Sequence, residues 1–79
     1  MMSATVKVLY FGAAKEMAGT AEEEIAAGDT KALRHEILKR YPAMRGLNFR
    51  MALNRVLLNE EALLKENDIV ALLPPFEGG

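Results

Sequence analysis

No cysteine occurs among the 79 residues, which excludes disulfides, thiolate catalysis and cysteine-held metals. Serine, histidine and aspartate are nearly missing as well: Ser3, His35, Asp29 and Asp68 are the whole supply. A hydrolytic triad needs a nucleophile, a base and an orienting group held together, and Ser3 is expected to sit in a fraying end. A metal centre needs three or four converging ligands, and one histidine among scattered glutamates offers no recognisable spacing. No apolar run approaches the ~20 residues of a membrane span. Met1-Met2-Ser3-Ala4 carries neither the basic nor the apolar part of a secretion signal, so a cytoplasmic location is expected. If this chain takes part in chemistry, its side chains are not expected to perform it alone.

What is present reads as one small globular domain. Hydrophobic residues make up 51% and charged residues 27%, too apolar for disorder. The formal net charge is -1, unevenly spread. Residues 1–30 carry two lysines against four glutamates and one aspartate, whereas residues 31–55 carry seven Lys/Arg against Glu36 alone. Residues 56–79 are acidic again, with Lys65 against four glutamates and Asp68. The basic block is open to two readings: an anion- or partner-binding face, or the solvated side of a helix through Lys31, Arg34, Lys39 and Arg40. It lacks the aromatic interleaving of single-strand binders, and no functional nucleic-acid binding is expected.

Patterning gives the elements. Thr5 to Phe11 is β-branched and aromatic and reads as an interior strand, with Val6, Val8 and Tyr10 on one face. Ala13 to Ala18 is a short helical turn closed by Gly19. Glu22-Glu23-Glu24-Ile25 suits a weak edge strand within residues 20–27. Asp29 or Thr30 caps a helix running to about Tyr41, where Pro42 stops it. Leu33, Ile37, Leu38 and Tyr41 share its core-facing side. Residues 43–48 read as a loop. Phe49, Met51 and Leu53 alternate with Arg50, Ala52 and Asn54 as a third strand, and Asn54 starts a tight turn into Val56-Leu57-Leu58. Asn67-Asp68 turns into the apolar strand Ile69–Leu73. Met17, Met44 and Met51 read as core fillers, and His35 as a surface residue. Gly12 to Gly19 is not a phosphate loop, because no Gly-Lys-Ser/Thr ending follows. The expected class is α+β, a mixed sheet of about five strands packed on one main helix, with the domain over residues 1–73 and a flexible tail over 74–79.

That tail, Pro74-Pro75-Phe76-Glu77-Gly78-Gly79, is the most pointed feature. Two prolines cannot continue a ladder, so the last strand ends at Leu73. They favour a stiff extended conformation that carries the following residues away from the domain. Phe76 is an aromatic where a monomer gains little from one, and Gly78-Gly79 can thread a channel that excludes any Cβ.

With these residues in view the sequence resembles the small, sulfur-carrying subunits of molybdopterin synthase, within the ubiquitin-like β-grasp superfamily. The resemblance runs through Val6–Gly19, Thr30-Lys31-Ala32-Leu33, Ala52-Leu53-Asn54 and, most specifically, Asn67–Gly79. Family members commonly have Arg where Lys15 stands and Asp-Gly-Asp where Glu66-Asn67-Asp68 stands. The resemblance implies a β-grasp fold and a mechanism. An ATP-dependent activating enzyme adenylates the Gly79 carboxylate, a sulfur donor protein's sulfur replaces one oxygen to give a thiocarboxylate, and the tail enters the large subunit. That subunit's residues then turn cyclic pyranopterin monophosphate into the dithiolene. It further implies a heterotetramer of two small and two large subunits, no bound cofactor, and ATP used only by the activating enzyme. Gly79 is the expected reacting residue, Gly78 and Glu77 thread the channel, and Phe76, Pro75, Pro74, Phe11 and Lys15 are expected to meet the partner. A related carrier for thiamine or tRNA thiolation, or a ubiquitin-like modifier, would use the same tail.

Overall fold

The computed structural model describes residues 3–74. Strand β1 (Ala4–Tyr10) leads into helix α1 (Gly12–Ala18), then β2 (Glu22–Ala27), helix α2 (Thr30–Arg40), a 3-10 turn (Pro42–Gly46), β3 (Arg50–Leu53), β4 (Val56–Leu57) and β5 (Ile69–Leu73). The five strands form one mixed sheet in the order β2-β1-β5-β3-β4. β1 and β5 run parallel at its centre, and every other pairing is antiparallel. This is the expected α+β sheet on one main helix.

Alternation decides which face is the core. Val6, Val8 and Tyr10 point from β1 to the helix side, joined by Ile25, Met51, Val70 and Leu72 from the other strands. α2 supplies Leu33 and Ile37, and Met44 of the 3-10 turn completes the packing at zero exposure. The acidic β2 is an edge strand, as its charges require.

Helix ends follow local chemistry. Asp29 is the cap of α2: its carboxylate accepts from the Ala32 N–H at 2.7 Å. Gly19 closes α1 in the left-handed region, φ 74, and donates to the Lys15 carbonyl at 2.9 Å.

Several expectations need correction. β1 ends at Tyr10, and Phe11 leaves the sheet to cap α1 without a side-chain hydrogen bond. α2 runs to Arg40 with Tyr41 as its C-cap, as expected, since the proline at 42 holds Tyr41 at ψ 78, outside the helical region. Pro42–Gly46 is a 3-10 turn rather than loop, because Pro42 suits a first helical position and Met44 needs burial. The third strand is Arg50–Leu53; Phe49 and Asn54 flank it. Ala52 is buried although it lies on the face opposite Met51. Met17 is 41% exposed and fills no core gap, because α1 turns only Ala14 inward.

Candidate functional site

The ends of β1 and β5 lie side by side, Tyr10 opposite Leu72 as the last pair of their parallel ladder. Pro74 is exposed, one residue past β5. Gly12, two residues past Tyr10, holds φ 55, and a Cβ built on it would lie 3.4 Å from Pro74 Cγ and 3.7 Å from Pro74 Cβ.

The face of the sheet away from α2 is apolar as well. Register places Leu9, Ala71, Ala52 and Leu57 in one row across four strands, with Ile69 and Leu73 flanking it along β5. Ile69 and Leu57 are 41% and 44% exposed, and Phe11 beyond the end of β1 is 45% exposed. Ala52 is buried in this row and Leu9, Ala71 and Leu73 are half-buried, so the exposed apolar side chains of Ile69, Leu57 and Phe11 make this face the candidate interaction surface. Its margin is charged: Lys7 sits 3.7 Å from Glu22, and Arg50 stands in register with Leu73. Of the residues expected to meet a partner, Phe11, Lys15 and Pro74 are exposed. Pro75, Phe76, Glu77, Gly78 and Gly79 lie outside the described residues.

The sequence shows the outer face at its β1 end, where Thr5 and Lys7 give way to Leu9 and Phe11; its spread across the other strands had a further signal. Ile69-Val70-Ala71-Leu72-Leu73 is apolar at every position, and a strand with no polar alternation needs cover on both faces.

Behind the corner, polar clusters fix the scaffold. The Tyr10 and Tyr41 hydroxyls both donate to Glu23 Oε2, at 2.5 and 2.7 Å, and their rings meet edge-on with centroids 5.9 Å apart. Arg40 lies 3.6 Å from the other oxygen of Glu23. Burial first, then the Glu23 carboxylate, pushes both tyrosine hydroxyls above their ordinary range. On the other flank, Thr30 donates to Glu61 Oε1 and accepts from the Ala62 N–H, while Arg34 donates to Glu61 Oε2 at 2.9 Å. The Thr30 hydrogen bond, then Arg34, holds the Glu61 carboxyl below its usual range. Asp68 accepts from the Asn54 amide at 3.0 Å and from the Lys65 N–H at 2.8 Å, which lowers it likewise. Asn54 also accepts from the Ile69 N–H, so the β3–β4 turn pins the start of β5.

The basic block resolves accordingly. Lys31, His35 and Lys39 are exposed on α2, whereas Arg34 pairs with Glu61 and Arg40 with Glu23 and Glu36. A groove of about 430 Å³ lies between α2 and β3, lined by Thr30, Arg34, Phe49, Arg50 and Glu61 among others. Its two arginines are already occupied, Arg34 by Glu61 and Arg50 by Asn59 and the Leu58 carbonyl. Among the described residues no cluster of three or more His, Asp or Glu side chains forms a metal site, and no helix is long and apolar enough to cross a membrane.

Comparison with known proteins places this geometry. The chain is 35% identical to the molybdopterin synthase sulfur carrier subunit of Chlamydomonas reinhardtii, over 94% of its own length and 98% of that protein. Its structure is similar to the solution structure of small archaeal modifier protein 1 from Methanosarcina acetivorans, with a TM-score of 0.87, 25% identity and full coverage of both chains. It is also similar to a chain in the complex of subunits 1 and 2 of the molybdopterin-converting factor from Helicobacter pylori, with a TM-score of 0.65 and 33% identity over 95% of this chain and 99% of that one. The ThiS family model matches residues 8–79, from the middle of β1 through the terminal Gly-Gly. The chain belongs to the ThiS family.

Proposed function

We propose that this protein is the sulfur carrier of molybdopterin synthesis, the small subunit that brings sulfur to the synthase on its own C-terminus. The observation that carries the reading is the apolar outer face running up to Pro74, after which the sequence continues Pro75-Phe76-Glu77-Gly78-Gly79. A carrier needs a rigid docking surface and a reactive end free of side chains, and this arrangement supplies both. The identity to a named sulfur carrier subunit over nearly the whole chain supports the same reading.

The chemistry is assigned to the main chain. A carboxylate is a poor electrophile, so an oxygen of the Gly79 carboxylate attacks the α-phosphorus of ATP on an adenylating enzyme and expels pyrophosphate. The outer sulfur of a persulfide on a donor protein then attacks the acyl carbon and AMP leaves, giving an acyl disulfide. A second thiol attacks the donor's sulfur, so the S–S bond breaks, the donor is left in a disulfide and the thiocarboxylate remains on Gly79. Docked on the large subunit, that sulfur is given to cyclic pyranopterin monophosphate, and side chains of the large subunit perform the catalysis. This division of labour fits a chain without cysteine and with one histidine on the surface of α2. ATP belongs to the activating enzyme, and no cofactor resides on the carrier. The complex is a heterotetramer of two small and two large subunits in the cytoplasm. Phe76, Pro75 and Phe11 anchor the interface, Lys15 lies on its rim, and Glu77 and Gly78 line the threaded segment.

Deleting Gly79, or appending one residue to it, is expected to abolish adenylation or sulfur transfer while leaving the melting temperature unchanged, since the tail follows the last strand. Gly78→Ala is expected to slow transfer more than it lowers stability, because a Cβ crowds the threading path. Near-normal molybdopterin formation by a chain whose extension is shown by mass to be intact would contradict the proposal. A protein modifier is the second reading, favoured by the similarity to the small archaeal modifier protein. It requires the same activated glycine but ends in an isopeptide bond.

A further inference from the structure

Four glycines lie among the described residues, and one of them has a neighbour where a side chain would be. Gly19, Gly28 and Gly46 have nothing within 4 Å of a built Cβ, whereas that of Gly12 meets the Pro74 ring. We infer that Gly12 is a positioning residue for the tail: its bare backbone face seats Pro74 and so fixes the direction in which residues 75–79 leave the sheet. The inference rests on the carrier reading, because a direction matters only if the tail is presented to a partner.

The β1–β5 ladder reaches Tyr10 and Leu72, and two residues further along each strand stand Gly12 and Pro74. Pro74 has no N–H and cannot extend the ladder, so non-bonded contact is what sets its lateral position. Its ring restricts its own φ, which makes the placement of that ring the origin of the tail's course. Gly12 supplies the placement. At 3.4 and 3.7 Å an added methyl would stand in ordinary van der Waals contact with the ring, and a β-branched side chain adds atoms beyond that contact. Positive φ favours glycine at both ends of α1, so the neighbour at Pro74 is what sets Gly12 apart. Gly12 opens α1 at φ 55 and Gly19 follows it at φ 74, yet only at Gly12 would an added Cβ meet another residue. Gly19 is thus an internal control with the same left-handed backbone and open space.

Presentation geometry has leverage on rate. A displacement of about 1 Å at a reacting group can cost on the order of a hundredfold when a partner site must be entered along a fixed path. The test compares Gly12→Ala, Gly12→Val, Gly19→Ala and Gly19→Val in the full chain, with pyrophosphate exchange by the ATP-dependent adenylating enzyme as readout. All four variants are expected to melt lower, since each places an L side chain at positive φ. Gly12→Ala is expected to keep a kcat within about twofold of Gly19→Ala, because a methyl fits. Gly12→Val is expected to lose at least about tenfold in kcat relative to Gly19→Val, with its KM within about threefold, since the outer face still docks. Equal kcat values for Gly12→Val and Gly19→Val, or a loss carried by KM alone, would overturn the seat. A second measurement is independent of any activity: nuclear Overhauser contacts between the Gly12 α protons and the Pro74 ring protons in the wild-type chain. Their presence supports the seat and their absence refutes it. Absence of exchange activity in the wild type would instead count against the carrier reading, leaving the nuclear Overhauser result to decide the seat.

Discussion

Arg55 holds φ 75 in the second position of the β3–β4 turn, directly after Asn54 at φ 49. Both central residues of a two-residue hairpin loop with this twist need positive φ, which Asn tolerates and Arg does not favour. Arg55→Gly is therefore expected to stabilise the domain by about 1 kcal/mol, measured by urea or thermal denaturation. A loss of stability would show that Arg55 makes a compensating contact. Asn67 is the third non-glycine residue in this region, at φ 71, with its N–H donating to the Thr5 carbonyl at 2.9 Å. The Gly common at this place in the resembling family is thus explained by backbone geometry, and Asn is the side chain that best substitutes for it. These positions show how much was legible at the residue scale. Asn54 could be read as a turn former because asparagine tolerates positive φ; nothing in the identity of Arg55 announces positive φ, which comes from the register of its neighbours.

The strands were legible where one face is polar and the other apolar, as in β1 with Val6, Val8 and Tyr10 inward. They were less so where tertiary contacts override local pattern. Met17 looked like core because methionine is apolar and adaptable, but a seven-residue helix packed on one side has room to bury little more than Ala14. Pro42–Gly46 looked like loop because proline and glycine bracket it, yet burying Met44 at zero exposure wound it into a 3-10 turn. The candidate site divides the same way. The tail was legible as composition, whereas the outer face required knowing that Leu9, Ala71, Ala52 and Leu57 fall in one row. That face carries its own expectation. Ile69→Glu places a charge on the flank of its apolar row, on a side chain 41% exposed, so the melting temperature is expected to move little. Binding to the large subunit is expected to weaken by about tenfold or more, as is that of Phe76→Ala, titrated calorimetrically. Undiminished binding by Ile69→Glu would remove the outer face from the interface.

As a whole molecule the domain is tied together by acidic side chains reaching across its elements, Glu61 to α2 and Glu23 to both tyrosines. This gives stability a pH window. Tyr10 and Tyr41 are raised in the fold above the ordinary value of 10.0, so the unfolded chain gives up protons first as pH climbs. Their contribution is complete below that value and is lost above it. Glu61 and Asp68 are lowered from 4.5 and 3.8, so theirs is present above those values and is lost as pH falls below them. Denaturation midpoints are expected to be flat between the two limits and to fall on either side, with tyrosinate absorbance appearing only as the chain unfolds. Ionisation of both tyrosines near pH 10 in the folded protein would contradict the Glu23 cluster. The whole-molecule claim, that this rigid domain exists to carry sulfur on its last residue, is tested most directly by intact-mass measurement. The full chain is incubated with the adenylating enzyme, ATP and a sulfur donor, and its C-terminal fragment is then mapped. The account expects one oxygen at Gly79 to be replaced by one sulfur. An unchanged mass, or an isopeptide conjugate of Gly79 with no thiocarboxylate, would contradict it.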